Sequence, residues 1–100
     1  MNKRKGLEEI ERILKENKPQ LAEKFKIKEI GIFGSRVRRE ESKKSDVDIL
    51  VEFYEVISLL DFVALEREIS ELIGEKVDLV MKSALKPRIG KSILREVMYI

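Results

Sequence analysis

The run VDILVEF, residues 47–53, constrains the fold of this chain more than any other stretch. It is β-rich and only mildly alternating, which suits a central strand. A strand sends successive side chains to opposite faces. Val47, Ile49 and Val51 therefore share one face, and Asp46 and Asp48 share the other. The apolar set accounts for burial against helices. Two like charges side by side repel, and something must offset that.

The rest of the chain supplies the helices. Leu7, Ile10, Ile13 and Leu14 recur at helical spacing, so residues 7–16 read as an amphipathic helix. Asn17 punctuates it, and Pro19 suits the first turn of a second short helix through about Phe25. Ile27–Phe33 reads as a strand that ends at Gly34-Ser35, and residues 34–45 as a turn or short helix followed by an exposed loop. Ser58 and Asp61 form a capping box ahead of an apolar helical run ending near Ile73, with Gly74 at its C′ position. KVDLV, residues 76–80, is a third strand, and Pro87 opens a last helix through about Glu96. This order predicts a single domain over 1–100, a small α/β (α+β) fold with a mixed sheet of three or four strands and helices packed on one face.

Composition narrows the chemistry. The chain has no cysteine and no histidine, so thiolate sites, disulfides and the usual general base are absent. Acid-base or metal chemistry must rest on Asp, Glu, Lys or Tyr. No apolar stretch approaches the roughly 20 residues needed to span a bilayer, and the basic N-terminus lacks a signal-peptide core. A cytoplasmic protein is expected, with no membrane contact. The 40% of charged residues match the bias of heat-adapted proteins. Net charge is only +2, but residues 45–81 carry 10 acidic and 2 basic side chains, whereas both flanks are basic. Solvated faces explain such clustering, and so does a carboxylate site that takes a metal-bound polyphosphate.

A divalent cation would offset the repulsion between Asp46 and Asp48, because Mg²⁺ takes oxygen ligands, commonly one or two carboxylates plus substrate phosphates. Asp78 repeats the pattern, set between Val77 and Leu79. If its strand lies beside residues 47–53, it supplies a third acid on the same face. The structural alternative is that Asp46 caps a turn while Asp48 and Asp78 pair with nearby Lys or Arg. The Gly34-Ser35 turn offers backbone N–H groups and a hydroxyl to a phosphate, or is an ordinary strand-to-helix turn. Neither GxxxxGK[ST] nor GxGxxG is present. One or two of Arg36, Arg38 and Arg39 are expected to contact a triphosphate or an acidic partner, Arg36 among them, unless they form an exposed basic loop.

GSRVRREESKKSDVDILVEF resembles the Gly-Ser…Asp-x-Asp signature of the DNA polymerase β-like nucleotidyltransferases, and within them the minimal nucleotidyltransferases of archaea and bacteria. The likeness covers nearly the whole chain. It implies the nucleotidyltransferase fold, Gly34 and Ser35 as the phosphate-binding turn, Asp46 and Asp48 as the metal pair and Asp78 as the third acid. It implies transfer of AMP from ATP, with Mg²⁺ (two ions), to a tyrosine hydroxyl of a HEPN-type toxin for which the protein is the antitoxin. A non-catalytic antitoxin that masks its toxin is the alternative. Direct nucleic-acid binding is not expected, and homo- and hetero-oligomers both remain open. One departure stands out: Arg39 occupies a position where the family carries glycine, which bears on the loop's conformation but removes no metal ligand.

Overall fold

The computed structural model describes residues 6–40 and 46–100. The elements follow in the order α1 (Leu7–Phe25), β1 (Ile27–Phe33), α2 (Ser35–Arg38), β2 (Val47–Phe53), α3 (Leu59–Ile73), β3 (Val77–Met81), a 3₁₀ turn (Lys82–Ala84), α4 (Pro87–Glu96) and β4 (Met98–Tyr99). The strands form one mixed sheet in the order β3-β2-β1-β4. β2 runs antiparallel to β1 and parallel to β3, and β4 is antiparallel to β1. The α+β class with a four-strand mixed sheet is therefore as expected. The exposed loop expected after α2 falls largely on residues 41–45, outside the described residues.

The core sits between the sheet and two helices. Val47, Ile49 and Val51 of β2 are buried, as their period of two requires, together with Ile30 and Ile32 of β1 and Val77 and Leu79 of β3. Against them pack Ile10, Leu14, Leu21 and Phe25 of α1 and Leu65, Ile69 and Ile73 of α3. α3 starts where its capping box predicts: the Ser58 hydroxyl accepts from the Asp61 N–H at 3.1 Å. It stops at Gly74, whose φ of +78° is the left-handed conformation that glycine adopts without strain.

One expectation is corrected. Residues 7–25 form one continuous helix, not two, with Pro19 inside it. A proline in a helix interior removes one N–H and crowds the preceding turn at a cost of about 3 kcal/mol. The buried residues Ile10, Leu14, Leu21 and Phe25 lie on a single stripe that continues past the proline, and burying each contributes about 1.5–3 kcal/mol, which outweighs the break. The face opposite the core also carries buried residues. Gly31 and Leu50 are register partners, as are Phe33 and Asp48, so these four residues share that face. Leu50 and Phe33 are buried there. Val97, just past α4, lies so near Gly31 that a Cβ at that position would come within 2.7 Å of its Cγ2. Val97 thus covers Gly31 on the sheet face that also bears Asp48. Among the described residues, no helix is long and apolar enough to cross a membrane.

Candidate active site

The site is assembled by strand register. Asp48 of β2 is the direct partner of Asp78 on parallel β3, just as Val47 is the partner of Val77 on the opposite face. Partners in a sheet point the same way, so the two carboxylates stand side by side away from the core. Asp46 precedes β2 by one residue and is half-buried. The Val47 N–H that separates the two acids donates to the Lys76 carbonyl at 3.0 Å, which fixes the starts of β2 and β3 to each other.

The Gly34-Ser35 turn meets this cluster directly. Phe33, the last residue of β1, is the register partner of Asp48. Gly34 follows with φ +82° and ψ −154°, a conformation that side chains rarely adopt. A Cβ on Gly34 would sit 2.0 Å from the Asp48 Oδ2. Glycine is required here twice over, by its backbone and by the carboxylate it touches. Ser35 begins α2, whose turn is closed by the Val37 and Arg38 N–H groups donating to the Gly34 carbonyl at 3.1 Å.

The electrostatics are those of a site with surplus negative charge. Burial, then the charges of Asp78 and Asp46, push the Asp48 carboxyl up to about 6, against a partial opposing pull from Arg38. Lys76 reaches Asp46 only at 4.0 Å, and Lys76 is itself mostly solvent-exposed. As they stand, no three acidic side chains among the described residues close into a group that would hold a metal ion. The donor set still fits one: all-oxygen ligands on adjacent strands, mutually repelling, are what a hard divalent cation binds and relieves.

Arg36, expected to contact phosphate, lies in the interior. Its side chain is fully buried, and its guanidinium donates to Glu75 from Nη2 at 2.6 Å and from Nη1 at 3.3 Å. Arg38 is the arginine within electrostatic reach of Asp48. It is half-exposed and bonds both oxygens of Glu96, at 2.8 and 3.0 Å, which links α2 to the end of α4. Arg39 points to Glu8 at 2.6 Å on the outer surface. Its φ of 58° and ψ of 39° are the left-handed values that glycine favours, so the loop keeps the glycine conformation despite the substitution. Glu75 and Glu96 were not anticipated: each is a lone glutamate at the end of a helix, and only their distant arginine partners give them a role. A cavity of about 390 Å³ at the other end of β2, lined by Phe53, Tyr54, Val56 and Met81 among others, contains none of the expected site residues.

The chain belongs to the nucleotidyltransferase family. The nucleotidyltransferase domain model matches residues 7–100. Within the family the chain is of the minimal nucleotidyltransferase kind, an enzyme class whose curated relatives are named protein adenylyltransferases. It is 56% identical over 94 residues to the protein adenylyltransferase MntA of Thermococcus cleftensis, covering 94% of this chain and 95% of that one. A Methanocaldococcus jannaschii protein provisionally named an adenylyltransferase is 52% identical over 97 residues, covering 96% and 99%. Among solved structures, one provisionally described as a minimal nucleotidyltransferase superposes with a TM-score of 0.80 at 33% identity, over 97% of this chain and 98% of that one. The same fold recurs in a complex of a tri-AMPylated Shewanella oneidensis HEPN toxin with its MNT antitoxin, with a TM-score of 0.65 at 17% identity, over 88% and 69% of the two chains.

Proposed function

We propose that this protein is a Mg²⁺-dependent protein adenylyltransferase, which transfers AMP from ATP to a tyrosine hydroxyl of a HEPN-type partner and so acts as the antitoxin of a toxin-antitoxin pair. The observation that carries this reading is the side-by-side register of Asp48 and Asp78 with Gly34 packed on the Asp48 carboxylate. The names of the relatives supply the reaction and the partner class.

Asp46 and Asp48, with Asp78, are the residues that would hold Mg²⁺. When bound, the metal supplies charge neutralisation for the triphosphate and for the attacking and leaving oxygens. The remaining chemistry belongs to the chain. Gly34 leaves the backbone bare beside Asp48, so a phosphate can approach the turn, and the Ser35 hydroxyl adds a hydrogen bond to it. With Arg36 buried, Arg38 is the cation placed to accompany the triphosphate. The acceptor oxygen attacks the α-phosphorus in line, a new P–O bond forms, and the bond to the β-phosphate bridge breaks to release pyrophosphate. Asp78, exposed at the edge of the cluster, takes the proton of the hydroxyl.

A non-catalytic antitoxin would have no use for three acids that repel one another or for a glycine fitted against one of them. The test is transfer of label from α-³²P-ATP, with Mg²⁺, to a purified HEPN-type partner. Transfer that requires Asp48 supports the proposal, and transfer that survives Asp48→Asn refutes the site.

A further inference from the structure

The pair Arg36–Glu75 joins two parts of the site. Arg36 belongs to the α2 turn that follows Gly34 and Ser35. Glu75 belongs to Gly74–Lys76, the link between α3 and β3. That link fixes the carboxylates. The Lys76 carbonyl accepts from the Val47 N–H between Asp46 and Asp48, and the Ser70 hydroxyl accepts from the Val77 N–H next to Asp78. Two charge-assisted bonds in a guanidinium fork set both distance and direction between the two parts.

The Arg36 side chain is fully buried and that of Glu75 nearly so. Such a pair is weak evidence for stability, because apolar residues of similar volume often hold a fold as well or better. What apolar contacts do not reproduce is a defined spacing. We infer that Arg36 and Glu75 are positioning residues, a strut that holds the Gly34-Ser35 turn at the separation from Asp46, Asp48 and Asp78 that in-line transfer requires. The inference rests on the adenylyl-transfer reading. Neither residue contacts the nucleotide, and the strut acts through the alignment of the triphosphate with the acceptor hydroxyl. A misplacement of about 1 Å can cost on the order of a hundredfold in rate.

The experiment compares the unsubstituted protein with the double variant Arg36→Met/Glu75→Leu and with Glu75→Asp, which keeps the charge and shortens the strut. Thermal unfolding establishes a temperature at which each is folded. Mg-ATP affinity is measured by equilibrium binding, and kcat for AMP transfer to the HEPN-type acceptor is measured separately. The double variant is expected to stay folded, to bind Mg-ATP within about threefold of the unsubstituted protein, and to lose roughly a hundredfold in kcat. Glu75→Asp carries the same test if the double variant does not fold, with an expected loss of about tenfold in kcat at unchanged ATP affinity. A folded variant whose kcat is retained overturns the strut alone. An unsubstituted protein that transfers no AMP overturns the adenylyl-transfer reading, and the strut's catalytic role with it.

Discussion

Gly34 and Asp48 are in contact: a Cβ on the glycine would lie 2.0 Å from the carboxylate Oδ2 and 2.9 Å from its Cγ. The backbone of Gly34, at φ +82° and ψ −154°, adds a second reason against any side chain. Gly34→Ala is therefore expected to displace Asp48 or the turn. Backbone strain alone costs on the order of 1–3 kcal/mol, and AMP transfer should fall at least a hundredfold. Chemical denaturation and the transfer assay read the two effects separately. A variant of unchanged stability and activity would show that the turn does not press on the carboxylate.

The raised carboxyl of Asp48 has a pH signature. Its folded value of about 6 lies above the ordinary aspartate value of 3.8, so between those limits the folded state binds more protons than the unfolded one. Stability from this group is present at low pH and is lost as pH rises through about 6. In the presence of EDTA, Asp48→Asn should stabilise the protein at pH 7 by about 1 kcal/mol, a value reduced from the full shift because the carboxyl is half-exposed and screened by solvent. At pH 4 the two proteins should differ little. Denaturant midpoints at the two pH values provide the comparison, and Mg²⁺ at pH 7 should raise the midpoint of the unsubstituted protein only.

Arg39 occupies a left-handed conformation, at a cost of roughly 1 kcal/mol to a residue with a side chain. Arg39→Gly removes that cost and gives up an exposed ion pair to Glu8, which contributes little at the surface. The net effect should lie between neutral and slightly stabilising, with AMP transfer within twofold. A marked destabilisation would mean that the Arg39–Glu8 contact anchors α2 to α1.

Arg38 stands beside Asp48 and is half-exposed, and its partners Glu40 and Glu96 contribute little to stability at the surface. Arg38→Ala should leave the unfolding midpoint nearly unchanged and raise the KM for ATP by about tenfold, through the loss of one charge-assisted contact. Arg38→Lys should recover only part of this, because lysine lacks the planar fork. An unchanged KM would remove Arg38 from the nucleotide site.

Local rules carried much of the fold. The period of two in residues 47–53 sorted Val47, Ile49 and Val51 into the core and Asp48 to the opposite face, and β1 and β2 begin and end where composition places them. The capping box of α3 and its terminal Gly74 are equally local signals. What escaped is what depends on distant partners. Pro19 breaks a helix by local rules, yet Leu21 and Phe25 continue the stripe begun by Ile10 and Leu14 because the sheet is there to receive them. β4 has two residues, too few for any periodicity, and exists through its pairing with Gly31 and Ile32. Arg36 looks like a phosphate ligand by position, but it lies in the interior bonded to Glu75, 39 residues away. Asp78 was readable because its strand repeats the apolar-acid-apolar pattern of β2, but its register with Asp48 is a property of the assembled sheet.

Asp48 and its neighbours form the proposed adenylyl-transfer site. Its most direct measurement is the transfer of α-³²P label from ATP to a HEPN-type partner protein in the presence of Mg²⁺, with Asp48→Asn and Asp78→Asn alongside the unsubstituted protein. Labelled partner in the unsubstituted reaction, and a loss of at least a hundredfold in both variants while they remain folded, is the predicted result. Undiminished labelling by folded Asp48→Asn would contradict it.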